Sequence, residues 1–381
     1  MNAKSSIYLD NAATTALDPE ALLAMKNIYE NFPGNPSSIH KMGRATSLQL
    51  EKARAAIASK INAEPEELIF TSTGTESNNL VLNGVLSSGD HLITSIIEHP
   101  SILRTAQELE KKQGVQVSYL SVDREGFISL DSLRKEIRPN TKLISIHHAN
   151  NEVGTLEPIQ EIAQICRETK ILFHMDACQS FGKISIDTKK LPVDFITFSA
   201  HKVHGPLGAA ALFVKKGNEL APILLGGGQE QELRSGTVNT PAIVGFAEAI
   251  KDLNDEDQIH IQNLCSKFLK NITEHFPDVV LNGPVIGENR LPNNLNLSFK
   301  GIDGKLLFTK LSERGIAIST GSACSSAKKT ASPVLLAMGR NETEALESVR
   351  ISLSKWTTIN EMGILFQTLN EIIPPLRGQH E

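Results

Sequence analysis

Between residues 66 and 214 the chain alternates short apolar runs with stretches of helical spacing, and this rhythm constrains the fold more than any other feature. The runs are ELIFTS (67–72), HLITSI (91–96), VQVSYL (115–120), KLISIH (142–147), ILFHM (171–175), DFITFS (194–199) and AALFV (210–214). Most are continuous rather than alternating, as strands covered on both faces require. The expected fold class is therefore α/β, with a mainly parallel seven-stranded sheet flanked by helices. Only a loop containing glycine and proline separates the last two runs, too short for a helical crossover, so that pair is expected to be antiparallel at an edge. Upstream, DPEALLAMKNIYENF reads as a helix with Asp18 as N-cap and Pro19 in its first position, and a second helix is expected over about 39–60. Downstream, LLGGGQEQELRSGTVNT (224–240) is a glycine-rich loop, followed by one or two long helices. A chain of 381 residues has the length for two domains, and the change of pattern puts a boundary near residue 250.

In a parallel sheet the carboxyl ends of successive strands open onto one crevice. Here those ends carry Gly74 and Thr75 in TSTGTESNN, His99 in EHPS, and Asn150 and Asn151 in HHANNEVGT. They continue with Asp176 and Gln179 in HMDACQS and with Ser199, His201 and Lys202 in SAHKVHGPLG. Singly, each is an ordinary residue: a solvated lysine, a satisfied turn histidine, a helix cap. Together they offer a helix start for a phosphate, a flat imidazole, an amide, a carboxylate and a lysine, which are the needs of pyridoxal phosphate. A hydrolytic metal centre built from His99, His147, His148, His174, Asp176, His201 and His204 is the poorer reading. No pair has HExxH spacing, and Lys202 would set a cation beside the metal, so no metal is expected.

Cys166, Cys178, Cys265 and Cys324 form no CxxC pair, which argues against a disulfide framework or a structural zinc site. Cys166 and Cys265 sit among apolar residues at helical spacing and read as core, and Cys178 reads as packing. Cys324, in SGSACSSAKKTAS, lies in a small polar tract and is expected to be an exposed thiol. The formal net charge of -5 comes from interleaved charges, which gives no sign of a nucleic-acid groove. No apolar run reaches the roughly 18 residues of a membrane span and the N-terminus has no apolar signal core, so a cytoplasmic location is expected.

The series YLDNAATT, TGTESNN, EHPS, NNEVGT, MDACQS, SAHKVHGPLG, RSGTVN, SGSACSS and VRISL, running in order from about residue 8 to 354, resembles the motifs of the cysteine desulfurases of the NifS/IscS type. These belong to the class V, fold-type I enzymes that use pyridoxal 5'-phosphate. The resemblance implies a large cofactor-binding domain over 15–250 and a smaller α+β domain formed by 1–14 and 251–381. It implies that Lys202 holds the cofactor covalently, Asp176 pairs with its ring nitrogen, Gln179 bonds its ring hydroxyl, and His99 stacks on the ring and assists proton transfer. Gly74, Thr75, Ser199 and His201 would hold the phosphate, joined by Thr237 from the second subunit of a homodimer. Asn151 would orient cofactor and substrate, and Arg350 would clamp the carboxylate of L-cysteine. Cys324 would take the substrate sulfur as a persulfide, release alanine, and pass the sulfur to an acceptor such as an iron-sulfur scaffold. The tract after Cys324 resembles the branch with an extended cysteine loop. The alternative reactions on such a scaffold are those of a selenocysteine lyase or an aminotransferase.

Overall fold

The computed structural model describes residues 6–321 and 330–377. Strand β1 (Ile7–Tyr8) is followed by α1 (Pro19–Asn31) and α2 (Lys41–Ser59). The start of α1 follows from its sequence: Pro19 sits at the helix start and Asp18 Oδ1 accepts from the Glu20 N–H at 2.9 Å. The alternating region then runs β2 (Leu68–Thr71), α3 (Gly74–Val85), β3 (His91–Ser95), α4 (Pro100–Gln113), β4 (Gln116–Leu120), α5 (Leu130–Glu136), β5 (Thr141–His147), α6 (Ile159–Thr169), β6 (Leu172–Asp176), β7 (Phe195–Ser199) and β8 (Ala210–Val214).

Strands β2 to β8 make one seven-stranded sheet in the order β2-β8-β7-β6-β5-β3-β4. Five of them, β3 to β7, are mutually parallel, and β8 is antiparallel to both its neighbours. The expected antiparallel pairing of β7 with β8 is present, but β8 is not an edge strand. Its five residues, AALFV, are all buried, and β2 pairs along its other side, Leu68 opposite Phe213. An apolar strand buried on both faces leaves its free ladder groups no solvent, so a further strand must cover them.

The remainder consists of α7 (Thr240–Ala249), α8 (Asp255–His275), β9 (Val279–Leu281), β10 (Asn294–Phe299), α9 (Gly304–Glu313), β11 (Ile316–Ala317), α10 (Pro333–Ala337), α11 (Glu342–Leu346), β12 (Ser348–Ser352) and α12 (Ile359–Arg377). Strands β12, β10 and β9 form an antiparallel three-stranded sheet, and β1 pairs in parallel with β11. One hydrophobic cluster packs α2 and α6 under the large sheet. Another gathers Ile7 and Leu9 with side chains of α8, β10, α9, β12 and α12. Among the described residues no helix is long and apolar enough to cross a membrane.

The N-terminal stretch DNAATT stitches the two sheets together. Asn11 Nδ2 donates to Ser352 O at 2.8 Å, at the end of β12. Thr15 N–H donates to His201 O at 2.8 Å, in the turn after β7. That turn needs Gly205, because a Cβ there would lie 2.7 Å from Ala200 Cβ and 2.9 Å from its carbonyl oxygen.

Candidate active site

At the carboxyl ends of the parallel strands lies a cavity of about 350 Å³. Lys202, Asp176, His99, Gln179, Asn151 and Arg350 line it, together with Gly74, Thr75, Ser199 and His201. These residues come from six separate stretches of chain, and the sheet topology is what brings them together. Thr237 is exposed and does not line this cavity. Cys324 lies outside the described residues.

Lys202 follows β7 in a single 3-10 turn. Its Nζ donates to Ala12 O at 2.5 Å and to Ala13 O at 2.8 Å, so the DNAATT stretch cradles the amine. Burial, which disfavours the charged form, draws the Lys202 pKa down to about 8. A second, half-buried lysine, Lys183, donates to Gln179 O at 2.9 Å and to Lys202 O at 3.2 Å. Burial and then the Lys202 charge lower it to about 7.

Asp176 is the last residue of β6. Burial alone would raise its pKa, but Oδ1 accepts from the Cys178 N–H at 2.9 Å and Oδ2 from Asn78 Nδ2 at 2.8 Å. The bonds prevail and hold the carboxylate below its ordinary range. Burial has the opposite outcome for Cys178, whose thiol is driven well above its usual value, with the Asp176 charge adding to the effect. Gln179 Nε2 is engaged by Ala12 O at 2.9 Å.

The α3 helix brings its N-terminal, positive dipole end to the cavity at Gly74 and Thr75. A Cβ on Gly74 would meet Cys178 Sγ at 2.6 Å, so only glycine lets the helix start approach the sheet this closely. Nearby, Ser199 Oγ is buried without a hydrogen-bond partner. His201 Nδ1 lies 3.2 Å from Thr14 Oγ1, and burial followed by the Lys202 charge lowers its pKa to about 4.

Arg350, on β12, is 1% exposed and so is not the surface arginine that strand position alone would suggest. Its Nη2 donates to Asp10 Oδ1 at 2.7 Å and its Nη1 to Asn151 O at 2.9 Å, which fixes the guanidinium at the cavity wall. Nε is buried with no partner. Asn150, by contrast, is a turn residue: its Oδ1 accepts from the Glu152 and Val153 N–H groups at 2.9 and 3.0 Å.

A buried charge cluster, two of whose members, Glu98 and His147, line the cavity, was not legible in the sequence. His147 Nδ1 lies 2.8 Å from Glu98 Oε1 and its Nε2 3.9 Å from Glu157 Oε1. Burial would lower the His147 pKa, but Glu98 first and then Glu157 outweigh it and lift it to about 9. Burial raises Glu157 to about 7. The apolar run KLISIH gave no sign that its last side chain enters an ion pair. The acidic residue beside His99 in EHPS was the one available hint.

The description Aminotransferase class-V matches residues 7–365. A cysteine desulfurase IscS from Dictyoglomus turgidum is 43% identical, the alignment covering 98% of this chain and 96% of that protein. Among solved structures, a NifS-like protein superposes with a TM-score of 0.90 at 38% identity, covering 97% of this chain and 99% of the other. A structure titled SspA in complex with cysteine does so with a TM-score of 0.83 at 39% identity, covering 93% and 100%.

Proposed function

The chain belongs to the class-V aminotransferase family and, within it, to the cysteine desulfurases, and on that premise we propose that the cavity around Lys202 removes sulfur from L-cysteine with pyridoxal 5'-phosphate as cofactor. The residues present fit that cofactor. A helix N-terminus beside a buried, unpartnered Ser199 hydroxyl suits a phosphate. A fully buried carboxylate held ionised, Asp176, suits a protonated ring nitrogen. An amine whose pKa has fallen to about 8, Lys202, is partly neutral near neutral pH and so nucleophilic enough to bond a carbonyl carbon. Bound there, the cofactor supplies an electron-withdrawing ring that weakens the bonds around the substrate's α-carbon.

The chain's own groups do the rest. Lys202 would anchor the cofactor and move protons at the substrate, His99 would face the ring, and Gln179 and Asn151 would orient it. Thr75, Gly74, Ser199 and His201 would hold the phosphate. Arg350, pinned by Asp10 and the Asn151 carbonyl, takes the substrate carboxylate with its remaining N–H groups. The Cys324 thiolate attacks the substrate sulfur, the carbon-sulfur bond breaks, and the products are alanine and a Cys324 persulfide. An S–S bond forms as the carbon-sulfur bond breaks, and the pair of electrons from the broken bond stays with the carbon, which takes up a proton to become the methyl group of alanine; the carbon is reduced as the sulfur is oxidised, so no external oxidant is needed.

The reading extends to the whole protein. Residues 15–250 form the cofactor-binding domain, and 1–14 with 251–381 form the smaller one, in keeping with their separate hydrophobic clusters. Two copies pair, with Thr237 of one reaching the phosphate of the other, as its exposure outside its own cavity suits. Exposed Leu22, Leu23 and Tyr29 on α1 supply apolar surface for such pairing. The persulfide is handed to an acceptor protein such as an iron-sulfur scaffold. A cytoplasmic setting suits the free thiols of Cys166, Cys178 and Cys265.

The observation that carries this reading is the convergence of Lys202, Asp176 and Arg350 on one cavity. Purified protein should show the visible absorbance of bound cofactor and convert cysteine to alanine, with sulfide released in the presence of a thiol reductant. Lys202→Ala should abolish both, and a colourless wild-type protein that stays inactive after reconstitution would refute the reading.

A further inference from the structure

Asp176 and His99 are joined by hydrogen bonds that the reading above does not use. Asn78, on α3, spends both N–H groups in this chain: Nδ2 donates to Asp176 Oδ2 at 2.8 Å and to Ser101 Oγ at 2.8 Å. The orientation of that amide is forced, because an ionised carboxylate can only accept. Asn78 Oδ1 is left buried without a partner. Ser101 Oγ, accepting a hydrogen bond from Asn78, donates its own O–H to His99 Nδ1 at 2.8 Å. The backbone N–H of Ser101 is aimed at the same nitrogen, 3.1 Å away, and an amide N–H can only donate. Nδ1 therefore accepts from two donors and carries no proton. The single proton of the neutral ring then sits on Nε2, which no described residue engages, on a ring that lines the cavity.

We propose that Asn78 and Ser101 are positioning residues, a one-way relay from Asp176 that locks His99 in its Nε2–H tautomer, so that His99 meets cofactor and substrate with a hydrogen-bond donor at Nε2. The functional half rests on the reading that Asp176 and His99 face the cofactor; the tautomer itself does not.

The logic is one of occupied lone pairs. Nε2 already holds its proton, and Nδ1 is held bare chiefly by the Ser101 hydroxyl at 2.8 Å, with the longer 3.1 Å contact from the backbone amide in the first turn of α4 beside it. The other influences on the ring are burial, which disfavours the cation, the Asp176 charge, which favours it, and the Lys202 charge, which opposes it; their sum lowers the His99 pKa. Asp176 thus has two tasks at once. The charge that would hold the ring nitrogen protonated also sets the direction of the relay, and with it the face that His99 shows to the ring.

The test is nitrogen NMR on cofactor-free protein labelled with ¹⁵N-histidine, with the His99 signals identified by their loss in His99→Gln. The expected spectrum has a proton-bearing Nε2 and an unprotonated, hydrogen-bonded Nδ1 that persist through the pH range where ordinary histidines titrate. Ser101→Ala should bring averaging between tautomers and a titration nearer the ordinary range, and Ser101→Thr, which keeps the hydroxyl, should restore the wild-type signals. A proton on Nδ1 in the wild type would overturn the proposal whether or not any variant folds. So would a Ser101→Ala spectrum with unchanged tautomer and titration. Adding pyridoxal 5'-phosphate separates the two layers: a shift of His99 Nε2 is expected, and its absence would overturn the cofactor-facing role while leaving the tautomer measurement to stand by itself.

Discussion

Arg350 shows how far a single residue's environment departs from what its position in sequence suggests. An arginine on a short strand, VRISL, is ordinarily solvated. Here its guanidinium is held by Asp10 and the Asn151 carbonyl, and only the remaining N–H groups face the cavity. Removing it should raise KM for cysteine more than it lowers kcat. A lost charge-assisted bidentate contact of about 1.5–3 kcal/mol predicts an increase on the order of ten- to a hundredfold for Arg350→Ala, measured by steady-state kinetics. An unchanged KM would contradict the clamp. The same residue marks the limit of legibility. Lys202, Asp176 and His99 were identifiable because they lie at or just past the carboxyl ends of strands, where side chains converge. Asp10, Asn78, Ser101 and the carbonyls of Ala12 and Ala13 were not, because they act through partners distant in sequence that only the folded chain supplies.

At the scale of elements, seven apolar runs were enough to give the sheet, since unbroken hydrophobicity marks strands covered on both faces. They did not give the order. Whether β2 or β8 lies at the edge depends on which ladder groups remain unpaired, a property of the assembled sheet. Nor did they show that β5 and the loop after β3 are tied by a buried ion pair, His147 with Glu98. That pair has a consequence for stability. The His147 pKa is raised in the folded state to about 9, against an ordinary value of 6.5. Its contribution is therefore complete below the unfolded value and is lost as pH rises through about 9. Thermal melts of the wild type taken at rising pH across that interval should show a falling midpoint. In His147→Gln, which cannot titrate, the fall should be shallower, and parallel slopes for the two proteins would show that His147 is not the group responsible.

For the molecule as a whole, nine motifs in order were legible as a family signature, whereas the proposed contribution of a second copy rests on Thr237, which stands exposed outside its own cavity. If Thr237 acts across an interface, co-expressed Lys202→Ala and Thr237→Ala chains should form mixed dimers in which one site carries both lesions and the other neither. Activity well above that of either variant alone is expected, and no recovery would place Thr237 in its own subunit or in neither site. The central claim is the division of labour between Lys202, which holds the cofactor, and Cys324, which takes the sulfur. It is tested most directly by mass spectrometry of the wild-type protein after brief incubation with L-cysteine, followed by peptide mapping without reductant. The account predicts one added sulfur atom on the peptide containing Cys324 and none on Lys202→Ala protein treated alike; added sulfur only on Cys166, Cys178 or Cys265 would contradict it.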